Sequence, residues 1–167
     1  MNDYEFKMGV LLAETQLPFE EAAGVAQDLG ASYVEYFVSE DELTDQHASH
    51  CRHVLDDLGL QTHAVGANPN PFKMLHIDEV GLAGLRTYEE FERDLENLRR
   101  TMAFAKIVGS PNAQCSGFAW PGEFHKMVRP SPTWSKRYAA GGGNIPPAEL
   151  EKIVAAFHIV AELADHY

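Results

Sequence analysis

The chain has 167 residues, 45% of them hydrophobic and 23% charged, and its 13 Lys and Arg stand against 25 Asp and Glu for a net charge of −12. That length holds one domain with a sizeable core, but a complete eight-fold α/β barrel takes about 250 residues. The negative balance argues against nucleic acid as the main partner, and no run approaches the ~20 apolar residues of a membrane span. "MNDYEFKMGVLL" does not read as a signal peptide, and Cys51 and Cys115 belong to no CxxC pair, so two free thiols in a reducing cytoplasm are expected.

The first β-prone run covers 7–12. Pro18 then suits a first helical turn, Glu20 and Glu21 follow near the positive end of the dipole, and Phe19, Ala22, Ala23, Ala26 and Leu29 make a buried stripe. "AQDLGASYVEYFV" (26–38) introduces a grammar that "LDDLGLQTHAVGA" (55–67) and "AKIVGSPNAQCSGF" (105–118) repeat. A helix ends in an apolar residue plus glycine, and a strand begins just beyond. Gly30, Gly59 and Gly109 fall where a helix end needs positive φ. Strands are predicted at 32–38, 61–66 and 112–118. Thr44 caps the second helix, with Ala48, Cys51, Leu55 and Leu58 inward. Thr87 and Glu90 form a capping box opening a third helix, striped by Phe91, Leu95, Leu98 and Met102. Pro146 and Pro147 open a fourth, with Leu150, Ile153, Val154, Phe157, Val160 and Leu163 on one side.

Four βα units in strict alternation predict parallel strands in order one to four with a helix layer. An open doubly wound sheet and the first half of a (βα)8 barrel both fit. The fourth helix closes in "AELADHY" (161–167), without the glycine and strand that follow its predecessors. The chain therefore reads as a single domain, 1–167, forming the N-terminal half of a longer barrel. Two connections, 67–86 and 119–145, are long enough to suggest function, and both follow the C-terminal ends of strands, where either fold places its ligand.

Glu35 lies mid-strand in "YVEYFV", on the face opposite Val34, Tyr36 and Val38. A carboxylate there needs a partner or a wet cavity, so an interior ion pair and a substrate-side role both stand open. His63, in "QTHAVGA", occupies a comparable place on the next strand and could be a metal ligand, a proton carrier or a structural group. Both are expected on the concave face near its C-terminal rim. Trp120, at the mouth of strand four, could stack on a ligand or anchor a loop. His47, His50 and His53 read as a solvated helix face rather than a metal site. His158 and His166 read as surface or boundary residues, and His76 and His125 lie in the long connections without a visible partner. Cys115 reads as a structural thiol, and "AAGGGN" (139–144) as a hinge rather than a phosphate cradle.

"KMGVLL", "AQDLGASYVEYF", "LDDLGLQTHAVGA" and "PPAELEKIVAAFHIVAELADHY" together resemble the sugar phosphate isomerase/epimerase family, with its xylose isomerase-like (βα)8 TIM barrel. The resemblance covers nearly all of this chain but only the front half of that barrel. It implies carbohydrate metabolism, a small-molecule carbohydrate substrate, and a divalent metal (Mn, Mg, Co or Zn) held by a Glu, Asp, His, Glu set on strands five to eight. Two of those carboxylates would shuttle a proton beside a carbonyl. No residue of this chain matches the ligands or the catalytic acid and base. What carries over is a substrate-binding wall of Glu35, His63 and Trp120, so the isolated chain is expected to be an inactive fragment.

An endonuclease IV-like metal-dependent nuclease is the first alternative. It needs further histidine ligands, which "NAQCSGFAW" does not offer, and a basic DNA face. A non-enzymatic open α/β binding module is the second. In a half-barrel the outer strands lack neighbours, so self-association or marginal stability is expected.

Overall fold

Strand and helix alternate from the start of the chain, as the glycine-punctuated sequence predicts. The computed structural model describes residues 7–68, 73–77, 83–85, 88–114, 116–119 and 147–167. In chain order these form β1 (Gly9–Leu11), α1 (Phe19–Asp28), β2 (Tyr33–Ser39), α2 (Asp45–Asp57), β3 (Gln61–Asn68), β4 (Lys73–Ile77), β5 (Ala83–Leu85), α3 (Tyr88–Val108), β6 (Ala113–Gln114), β7 (Ser116–Ala119) and α4 (Pro147–Ala164). Two compact units result: Met1–Pro71, Asn97–Gln114 and Tyr167 form one, Phe72–Glu96 and Cys115–His166 the other.

In the first unit β1, β2, β3 and β6 make a sheet in that order, every pair parallel. This is the one-to-four order that uninterrupted βα alternation demands. The three helices feeding it end alike. Gly30, Gly59 and Gly109 take φ of 76°, 68° and 77°, which closes each last turn. The next amide reaches back to the helix: Ala31 N–H to Ala26 O at 3.0 Å, Leu60 N–H to Leu55 O at 2.9 Å, and Ser110 N–H to Ala105 O at 2.8 Å. These Schellman bonds satisfy carbonyls that a helix end otherwise orphans. At the start of α2, Thr44 Oγ1 accepts from His47 N–H at 3.2 Å, as its capping role predicts.

One face of this sheet carries the core. Val34, Tyr36 and Val38 of β2 are buried together with Ala22, Ala23 and Ala26 of α1, Ala48, Cys51 and Leu55 of α2, and Phe104, Ala105 and Val108 of α3. Alanines facing the strands let α1 lie close to the sheet. The Phe19 ring packs edge-on against Tyr36 with centroids 4.9 Å apart, a favourable aromatic geometry. Leu29 departs from its expected place in the α1 stripe and is 61% exposed. It lies past the last helical residue, beside Gly30, where the chain leaves the 3.6-residue period.

The second unit corrects two expectations. The stretch 67–86, read as a connection, contains β4 and β5, which pair antiparallel with each other. β4 also pairs parallel with β7, giving a three-stranded sheet in order β5-β4-β7. The single strand expected over 112–118 is accordingly divided: 113–114 belong to the first sheet and 116–119 to the second. On α4 the expected stripe holds only in part among its described side chains. Ala156 is buried and Val160 and Leu163 are half-buried, while Val154 and Phe157 are each 46% exposed. Pro147 opens that helix; Pro146 and Thr87 lie outside the described residues.

Candidate functional site

Alternation along β2 divides its side chains cleanly. Val34, Tyr36 and Val38 face the helices, while Tyr33, Glu35, Phe37 and Ser39 are half-buried on the opposite face. Glu35 therefore points away from the helix layer, in register with Leu11 of β1 and Ala64 of β3. Phe37 is in register with Gly66 of β3, which in turn pairs with Gln114 of β6.

His63 is placed by an irregularity. Val34 pairs with Thr62 and Glu35 with Ala64, so His63 is the extra residue of a β-bulge. Bulges re-aim side chains, and His63 is exposed rather than inserted in a regular row. Its ring stands edge-on to Tyr33 with centroids 6.2 Å apart, and its carbonyl accepts from Asn112 Nδ2 at 2.9 Å. Glu35 and His63 each occupy the third position of their strands, within the N-terminal halves. The expected position near the C-terminal rim is thus not the one observed. The bulge brings the two residues into adjacent register but leaves Ala64, not His63, opposite Glu35. Trp120, Cys115, His125 and the 139–144 glycines lie outside the described residues.

Around His63 a cleft of about 440 Å³ is lined by Tyr33, Arg52, Leu55, Leu60 and Thr62. Arg52 donates to Ile107 O at 3.2 Å and stands 3.6 Å from Asp56, so its charge is already matched from within the chain. The cleft lies at the strand starts, beside the ends of α2 and α3.

The remaining titratable groups are structural in character. Cys51 is fully buried, and burial, reinforced by the Glu20 and Glu42 charges, pushes its thiol up to about 12. Such a thiol is not an activated nucleophile. Burial likewise raises the Tyr36 hydroxyl well above its ordinary range; the neighbouring Thr62 opposes this only weakly, and among the described residues neither hydroxyl meets hydrogen-bond geometry with a partner. His50 donates from Nε2 to Glu20 at 2.8 Å, joining α2 to α1. That bond, helped by the His50 and His47 charges, holds the Glu20 carboxyl below its usual value. His47 lies against the Phe104 ring and the Cys51 sulfur, so only part of the expected solvated histidine face is solvated. His158 and His166 are exposed. Among the described residues no three His, Cys, Asp or Glu side chains are grouped to hold a metal, and no helix is long and apolar enough to cross a membrane.

Gln114 is the polar residue that sequence reasoning passed over. Among the described residues its Oε1 is buried without a hydrogen-bond partner. The available signal was a carboxamide inside a predicted strand, "NAQCSGF", where alternation alone does not say which face it takes.

No family model matches the chain, and no curated protein does either. Solved structures do. A putative xylose isomerase from Rhodospirillum rubrum is 16% identical with a TM-score of 0.61, over 97% of this chain and 51% of that one. A xylose isomerase domain protein from Planctomyces limnophilus is 19% identical with a TM-score of 0.45, over 84% of this chain and 44% of that one. The chain has the α/β fold of the first, a xylose isomerase-like TIM barrel, and spans about half the length of each of these two structures.

Proposed function

We propose that this chain serves as the substrate-binding wall of a metal-dependent sugar or sugar-phosphate isomerase or epimerase, and that it does not turn over substrate by itself. The observation supporting this is Glu35: a half-buried ionisable side chain on the face of a parallel sheet opposite its helix-side core, in a fold shared with a putative xylose isomerase. A carboxylate so placed accepts hydrogen bonds from sugar hydroxyls without the cost of full burial. His63, beside Tyr33, would add a donor or acceptor at the strand starts.

Isomerisation beside a carbonyl needs a general acid and base, and the family's metal would supply Lewis acidity. The described residues do not fit that metal, because no three suitable ligands stand together. No proton-transfer step can be assigned to them. The chain's own chemistry is recognition.

The test is direct. The purified chain should bind D-xylose or D-xylulose by NMR titration and show no interconversion with added Mn²⁺, Mg²⁺ or Co²⁺. Glu35→Ala should weaken that binding roughly 10- to 100-fold, the size of one lost hydrogen bond to a charged group. Metal-dependent turnover would overturn the claim of inactivity, and absence of sugar binding would overturn the wall itself.

A further inference from the structure

We infer that Phe37, Gly66 and Gln114 form a subsite for the neutral, hydroxyl-bearing part of a carbohydrate; this rests on the sugar-binding reading above and makes it specific. The three residues form one row across β2, β3 and β6, paired Phe37 to Gly66 and Gly66 to Gln114. They share the face opposite the helix-side core with Glu35, two residues before Phe37.

Gly66 occupies a strand interior, where glycine is normally a weakness. Its backbone is not in the positive-φ set, so space rather than conformation accounts for it. A Cβ at Gly66 would lie 2.7 Å from Cδ1 and Cε1 of Phe37 and 3.1 Å from Gln114 Oε1. The ring edge and the carboxamide oxygen therefore fill the place of the missing side chain. Gln114 Oε1 gains nothing there, since it is buried without a partner. A buried acceptor without a donor destabilises the protein that carries it.

These groups together select a ligand. A sugar offers hydroxyls that both donate and accept, so they satisfy the carboxamide whichever way it is turned. Its C–H faces pack against an aromatic ring, and a floor without a Cβ lets it approach the strand closely. A phosphate or carboxylate fits poorly, because Oε1 and the nearby Glu35 are both acceptors. The Phe37 ring lies against the same position, so a ligand reaches Oε1 by turning that ring aside. Phe37 thus covers the free subsite and lines the occupied one.

The experiment pairs thermal unfolding of the free chain with NMR titration of D-xylose, using Gln114→Leu, which keeps the bulk and removes the acceptor. Relief of the orphaned oxygen should raise Tm by about 2–4 °C, while D-xylose affinity should fall roughly 5- to 10-fold. Phe37→Leu, an independent variant should the first fail to fold, should weaken D-xylose binding several-fold. Unchanged D-xylose affinity in the folded variant overturns the subsite while leaving the sugar-binding reading intact. Weaker affinity accompanied by a lower Tm assigns Gln114 a structural role and also counts against it. If the parent chain binds neither D-xylose nor D-xylulose, both readings fall together.

Discussion

The two faces of β2 have the same backbone and differ in what the chain lays against them. On one side, Val34, Tyr36 and Val38 are at most 2% exposed, under helices whose contact residues are largely alanine. On the other, Tyr33, Glu35, Phe37 and Ser39 are half-buried, and the row through Gly66 leaves a polar oxygen unpartnered. Alternation with a period of two makes this division automatic once a single face is fixed by the helices. If the proposed sugar-binding role holds, stability and recognition fall on opposite sides of one strand, and substitutions should separate them.

The largest separation is expected at Leu55, which is 2% exposed in the helix-side core. Leu55→Ala should destabilise the chain by about 2–5 kcal/mol, through lost burial and the cavity left behind. Glu35→Ala, on the opposite face, should change stability by no more than about 0.5 kcal/mol. Urea unfolding of both variants checks this. Equal losses would mean that the face carrying Glu35 is as structural as the helix-side core.

Sequence pattern reached the helix-side face well. The glycine-terminated helices, the Thr44 cap and the α2 residues Ala48, Cys51 and Leu55 follow from local rules, because each depends on neighbours within a turn or two. The other face was less legible. Alternation assigned Glu35 correctly, but it cannot see a bulge, and one extra residue at His63 changes where that ring goes. β4 was hidden because its partner β7 lies some forty residues away and no local period announces such a pairing. The division of the expected strand at 115 has the same origin: β6 and β7 are claimed by different sheets. On α4, six apolar residues define a stripe about as wide as a buried face, so the pattern alone does not fix its rotation to within one residue's turn.

Cys51 offers an intermediate effect on the covered face. With its thiol pushed up to about 12 from an ordinary 9.0, the thiolate fraction at pH 8 should fall about a thousandfold, since the thiolate is the reactive form. Burial adds a steric block. In the native chain a water-soluble disulfide reagent should therefore modify Cys51 only on the timescale of unfolding, and in urea it should react at once. Labelling can be followed by mass spectrometry of the Cys51 peptide. Fast native labelling would show that the helix layer opens locally and that the covered face is less sealed than its exposures indicate.

The smallest effect belongs to the outer edge of the helix layer, where Glu20 of α1 accepts from His50 of α2 at 2.8 Å. Both side chains are more than half exposed, at 56% and 51%, so solvent screens the pair and its worth should lie within about 0.2–1 kcal/mol. The sign follows from linkage. The Glu20 carboxyl is held below its ordinary 4.5 in the folded chain, chiefly by the His50 hydrogen bond. Its stabilisation is therefore fully present above the unfolded value and is lost as pH falls through the lower, folded one. Glu20→Gln should unfold at slightly lower urea than the parent at pH 6, and the two midpoints should converge as the pH is taken down toward 3. The same variant should leave D-xylose binding unchanged, because Glu20 is on the helix side and Glu35 on the opposite face. A parent that unfolds at lower urea than Glu20→Gln at pH 6 would mean that Glu20 is destabilising in its charged form, contrary to the geometry of the His50 bond.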